Sequence, residues 1–194
     1  MIQIVGISGS LREGSFNASL LRAAAESAPE GSSVSINSIK DIPLYDNDVE
    51  DKEGIPSKVT ALKELIAAGD GLLLVTPEYN NSMPGVFKNA IDWLSRPPED
   101  RRRIFFGRPV GLIGASPGGF GTAFSQYAWM PTLRVLNTQV WSGRLLWVRG
   151  ASGKIDDQGN MTDTTVHSQV KKYMAGFVKF VGRLKSGELS SSRF

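Results

Sequence analysis

Short runs of apolar, often β-branched residues alternate along this chain with longer segments in which apolar positions recur every three or four residues. A period that switches in this way predicts strands and helices in turn, and therefore a parallel sheet covered on both faces. Ile2 to Ile7 predicts the first strand and Ser33 to Ile39 the second. Between them Phe16, Leu20, Leu21 and Ala24 share one face of a helix running from Ser15 to about Ala28, where Pro29 and Gly31 stop it. The clearest buried strand is Gly71 to Thr76, "GLLLVT", and Pro109 to Ala115 predicts a fourth. Thr138 to Trp141 begins a fifth, with Leu145 to Val148 as its extension. Further helices are expected from Pro56 to about Ala68, from about Gly85 to Leu94, from the end of "SPGGFGT" to about Val135, and from about Thr164 to Leu184. Asp41 to Ile55 reads as an irregular acidic connection, long enough to line a site, or else a surface loop with Leu44 and Tyr45 pinned to the core.

A chain of 194 residues with 41% hydrophobic content can bury a full core. We expect one domain over residues 1–185, followed by a frayed tail over 186–194. No run approaches the roughly 18 apolar residues that cross a bilayer, and no leader pattern opens the chain, so the expectation is a cytoplasmic protein without a membrane partner. There is no cysteine, which removes disulfides, thiolate metal sites and cysteine nucleophiles. The formal charge of +3 lacks the clustered basic module that nucleic acid requires, so none is expected as a partner. Five arginines do gather between Arg96 and Arg108, against only Glu99 and Asp100. They form either a solvated loop or an electropositive rim for an anion, with Arg101 the candidate contact to substrate.

Three unusual loops each follow a strand, and in an open parallel sheet that places them at one edge, where ligands bind. The first, "GISGSLREGSFN" from Gly6 to Asn17, leaves a strand through glycines and serines before a helix begins. Gly9 allows a close turn, Ser10, Ser15 and Asn17 donate hydrogen bonds, Arg12 adds charge, and the helix start offers free amides to a phosphate. The spacing is neither G-x-G-x-x-G nor a triphosphate loop, which favours a phosphate monoester; the alternative is a plain helix cap by Ser15. The second loop, Pro77 to Gly85, offers Glu78, Tyr79, Asn80 and Asn81 to the face and edge of a flat heteroaromatic ring. The third, Ser116 to Thr122, spends three glycines among seven residues, as a ring sliding past backbone, or a bare turn, requires. His167, the only histidine, has no role, no cluster has metal-ligand spacing, and Asp156 and Asp157 read as turn residues.

These residues resemble the NADPH-dependent FMN reductase family, the flavodoxin-like quinone, chromate and azo reductases. "GSLREGSFN" matches its G-S-x-R-x-x-S-x-N phosphate loop, "PEYNNSMPG" its P-E-Y-N-x-S-x-P-G flavin loop, and "KNAIDWLSRP" the helix that follows. The similarity runs from Ile2 to about Leu184 and weakens over "SGRLLWVRGASGK". It implies a three-layer flavodoxin-like fold with a five-stranded parallel sheet of order 2-1-3-4-5. It implies further that Ser10, Arg12, Ser15, Phe16 and Asn17 hold the FMN phosphate end and that Pro77, Glu78, Tyr79 and Asn80 line the isoalloxazine. Ser116, Gly118, Gly119 and Phe120 would close its other edge. NADPH or NADH would deliver hydride to FMN, and quinones, chromate, azo compounds or free flavin would then take two electrons, in ping-pong order and with no indispensable acid or base. The family's assembly as homodimers or homotetramers makes Trp93, Tyr127 and Trp129 interface candidates, unless they are ordinary core. The rival readings are a flavodoxin-like electron carrier that does not oxidise NAD(P)H, a reductase that supplies reduced FMN to a partner, and a binding module without turnover.

Overall fold

The computed structural model describes residues 1–188; the expected tail beyond Glu188 lies outside the described residues. Five segments pair side by side in the order β2-β1-β3-β4-β5, where β1 is Ile2–Ser8, β2 Ser32–Ser38, β3 Gly71–Val75, β4 Pro109–Ala115 and β5 Gln139–Val140. All pairings are parallel. The sheet order expected from the resemblance is thus the observed one.

The fifth position is filled twice. β5 pairs the start of β4, at Pro109 and Val110, while a separate strand, β6 (Trp147–Val148), pairs its end at Gly114 and Ala115. The expected extension is broken after Trp141, which still donates its amide to the Val110 carbonyl at 2.8 Å while its ring packs on Tyr173 with centroids 4.7 Å apart.

Helices α1 (Phe16–Glu26) and α7 (Thr164–Lys185) cover one face of the sheet, with α3 (Ser57–Ala68), α4 (Gly85–Leu94), α5 (Pro98–Phe105) and α6 (Ala123–Val135) on the other. The burial of β3 explains its uninterrupted apolar run: Leu72 and Leu74 face the α3 side while Leu73 and Val75 face α1 and α7. Each fully buried leucine contributes roughly 1.5–3 kcal/mol. Trp93 and Trp129 are fully buried core residues, whereas Tyr127 is exposed.

Two helices stand where none was expected. α2 (Asn47–Glu53) interrupts the acidic connection after β2; it buries nothing and starts on the Asp46 side chain, which accepts from the Asp48 amide at 2.8 Å. α5 turns the arginine-rich segment into a helix anchored by Ile104 and Phe105. Arg103 within it pairs with Glu64 and Asp100, and Arg96 just ahead of it pairs with Glu50. Buried Lys63 bonds both the Arg96 carbonyl and Asp100.

Candidate functional site

The three loops meet at the carboxyl edge of the sheet because hydrogen bonds tie each to its neighbour. Gly9 donates its amide to Val75 at 2.9 Å, joining the first loop to β3, and Thr76 donates to Ile113 at 2.9 Å, joining the second to β4. Asn17 then reaches across the sheet. Its Nδ2 donates to the Ala115 carbonyl and its Oδ1 accepts from the Ala115 amide, both at 2.9 Å. The Asn17 side chain is buried and holds the third loop against the first, a positioning role beside its place in the cavity lining.

Between the loops lies a cavity of about 270 Å³. Ser10, Arg12, Ser15, Phe16 and Asn17 line it from the first loop, Pro77, Glu78 and Tyr79 from the second, and Ser116 from the third, with Ala115 and Pro117 beside it. Asn80, Gly118, Gly119 and Phe120 follow these lining residues in the chain and are exposed. Arg101 is not brought here: it lines a separate cleft with Arg102, Phe106 and Arg134.

The phosphate end combines a cap with free donors. Ser15 caps α1, its Oγ accepting from the amides of Asn17 and Ala18 at 3.2 Å, so the capping alternative describes that hydroxyl correctly. The amides of Gly14, Ser15 and Phe16 bond to none of the described residues and stand at the positive end of an 11-residue helix. Arg12 lies 5.1 Å over the Phe16 ring and has no carboxylate partner among the described residues. Below the loop, Ser8 is buried with its Oγ unpaired, the lone such atom among the described residues. Strand alternation puts it on the α1 side of β1, beside Ile4. An uncompensated cation and free amides form a donor set that fits a phosphate monoester. Ser8 escaped the sequence reasoning because a serine ending a strand carries no signal of its own.

Gly9 has a packing role besides the expected close turn. A Cβ there would enter the Phe87 ring, so the glycine lets α4 pack beneath the loop. In the second loop, Tyr79 and Ser82 exchange backbone bonds of 3.1 and 3.0 Å, and Asn80 and Asn81 between them take positive φ angles of 50° and 57°. This is a tight hairpin turn of the kind asparagine tolerates best among side-chain-bearing residues. Glu78 accepts from the Ser125 amide at 3.0 Å and so caps the start of α6. The hydroxyl of buried Thr76 accepts from Trp129 Nε1 at 3.0 Å and meets Ser125 Oγ at 2.8 Å. The second loop is thus bolted to α6 at two points. In the third loop, Ser116 donates its amide to Val148 at 3.0 Å, and Cβ positions at Gly118 and Gly119 meet little or nothing, which leaves the cavity's outer side open. His167 bonds the Met161 carbonyl, away from the cavity. Among the described residues no group of acidic or histidine side chains could hold a metal, and no helix is long and apolar enough to cross a membrane.

The family model described as NADPH-dependent FMN reductase matches residues 2–152. An NAD(P)H-dependent FMN reductase of Pseudomonas aeruginosa is 41% identical over 184 residues, covering 95% of this chain and 97% of the relative. A quinone reductase of Escherichia coli is 40% identical over 186 residues, covering 95% and 97%. Among solved structures, the flavoenzyme NAD(P)H:(acceptor) oxidoreductase FerB of Paracoccus denitrificans superposes with a TM-score of 0.83 at 30% identity, over 94% of this chain and 98% of that one. With its sheet order, its two long loop motifs and these matches over nearly the whole length, the chain belongs to the NADPH-dependent FMN reductase family.

Proposed function

We propose that this FMN-dependent NAD(P)H oxidoreductase reduces quinones, with FMN seated across the three loops. The observation that carries the seating is the donor set at the start of α1: the uncommitted amides of Ser15 and Phe16 and an unpaired Arg12 on the cavity that Pro77 and Tyr79 share, with the Gly14 amide beside them. When bound, FMN supplies the redox chemistry, taking hydride from NAD(P)H and passing two electrons to the acceptor in a ping-pong cycle.

The chain's own residues bind and orient. Arg12 and the amides of Gly14 to Phe16 neutralise a dianionic phosphate without reorganising, because Ser15 has already fixed the first turn. Pro77 and Tyr79 give one ring edge an apolar and aromatic wall, while Glu78 holds that wall to α6. Ser116 and the glycines after it leave the opposite side open, so the two substrates use one face in turn. A site open in this way discriminates poorly among flat or small oxidants, which extends the acceptor class to chromate and azo compounds. The quinone assignment rests on the names of the relatives in E. coli and of a 2-hydroxy-1,4-benzoquinone reductase of Burkholderia, 36% identical over 180 residues.

A homodimer or homotetramer fits the exposed apolar side chains of Phe124, Tyr127 and Leu145. Within such an assembly Arg101 would meet an anionic co-substrate only from a neighbouring copy. A higher KM for NADPH after charge reversal at Arg101 to Arg103 supports that arrangement, and an unchanged KM removes it.

The test is steady-state turnover of NADPH with 1,4-benzoquinone, followed at the nicotinamide band. Parallel double-reciprocal lines support the reading. An FMN-loaded protein that leaves NADPH untouched makes it an electron carrier instead, and flavin lost during turnover makes it a supplier of reduced FMN.

A further inference from the structure

The phosphate end of the cavity is not a dead end. Arg12, Ser15 and Phe16 also line a second, larger groove of about 700 Å³ that continues past the start of α1 toward the turn at 156–160. We infer that this groove takes the adenosine half of FAD, so that the chain loads FAD as well as FMN; the inference rests on the flavin seating proposed above.

The far wall of the groove is built rather than incidental. Asp156 Oδ1 accepts from the amides of Gln158 and Asn160 at 3.0 and 2.7 Å, which closes the turn. Arg22 on α1 pins it, donating from Nη2 to the Gly159 carbonyl at 2.7 Å and to Ser19 Oγ at 3.0 Å. Gly159 has φ +82°, and a Cβ there would stand 2.6 Å from the Arg22 guanidinium, so the turn sits as close to the helix as backbone allows.

Charge is ordered along the groove in the sense an adenylate needs. The mouth holds Arg12 and the free helix amides, where a second phosphate follows the first. The far end holds Asp157 and Gln158, both exposed. Asp157 has no ion-pair partner among the described residues. A carboxylate accepts from a ribose diol, as in dinucleotide folds, and a carboxamide oxygen accepts from an adenine amine. Phe16 and Ile155 offer apolar surface to the base. A nucleotide ending in further phosphates would instead set its charge against Asp157 and Glu13, so the groove selects a nucleoside end over a polyphosphate one.

The experiment is calorimetric titration of the flavin-free full chain with FMN and with FAD, repeated on Ser152→Trp and Gln158→Trp. Both substitutions place a large ring in the groove from exposed positions outside the flavin cavity. The expected result is FAD affinity within about 10-fold of FMN in the unaltered chain, with FAD weakened about 10-fold or more in each variant and FMN changed less than about 2-fold. Retained FMN affinity certifies that a variant is folded. FAD more than about 100-fold weaker than FMN, or FAD affinity indifferent to both tryptophans, overturns the groove assignment and leaves FMN binding standing. Failure of both flavins to bind the unaltered chain overturns the flavin seating itself, and the groove assignment with it.

Discussion

Asn17 on α1 and Ala115 at the end of β4 are joined by two hydrogen bonds of 2.9 Å, a side-chain amide closing on both polar groups of one residue's backbone. This clamp spans 98 positions of sequence and sets the distance between the first loop and the third. Asn17→Ala strands a buried N–H and a buried C=O together, which costs roughly 2–6 kcal/mol at about 1–3 kcal/mol for each unmet group. Urea unfolding should show a lower midpoint with an unchanged slope, and FMN affinity should fall although no bond to the cofactor is removed.

Gly9 and Phe87 form a second constrained pair. Gly9→Ala drives a methyl group into the ring and should destabilise by about 1–3 kcal/mol, the usual cost of overpacking. If the steric reading is right, Gly9→Ala combined with Phe87→Leu recovers part of the loss in urea midpoint. If instead Gly9 serves a phosphate, the double variant is no better than the single one.

The contrast between these two pairs shows what the chain states openly. The strands announce themselves because β3 and β4 are buried on both faces and their apolar runs are unbroken. The three loops are legible because glycine, serine and asparagine are costly immediately after a strand unless the backbone is needed there. What each residue does inside a loop is less legible. That Asn17 also clamps Ala115 from across the sheet, and that Gly9 also makes room for Phe87, could not be read locally. Long-range partners decide both roles. α2 and α5 escaped for a related reason: neither carries a periodic apolar face. α2 rests on its cap and on Tyr45 and Arg96 holding Glu50, and α5 on charge pairs to α3.

The turn at Asn80 and Asn81 should follow left-handed propensity. Asn80→Gly and Asn81→Gly keep the positive φ and should leave FMN affinity within about 2-fold. Asn81→Val, whose branched Cβ opposes φ of 57°, should cost about 1–2 kcal/mol and loosen the second loop, seen as weaker FMN binding together with a lower urea midpoint.

Acid should unfold the α3–α5 side early. Burial acts to raise Asp100, but the hydrogen bonds from Lys63 and Arg103 outweigh it and hold the carboxyl below its ordinary range. Glu50 is likewise pushed up by burial and pulled further down by Arg96 and Tyr45. With the folded-state values depressed, the unfolded chain takes up protons first. The stability from these pairs is therefore complete above the ordinary carboxylate range, near about 4, and is lost as pH falls through it toward the folded values. The urea midpoint should fall below about pH 4, and Asp100→Asn should lower it at neutral pH while flattening its acid dependence.

The seating of FMN at the start of α1 is tested most directly by titrating FMN into the flavin-free chain beside Arg12→Ala and Arg12→Lys. Micromolar or tighter one-site binding is expected for the unaltered chain, weakened about 10-fold or more in Arg12→Ala and partly restored in Arg12→Lys, the scale of one charge-assisted contact. Binding that ignores Arg12, or a chain that takes up no FMN at micromolar concentration, contradicts the account.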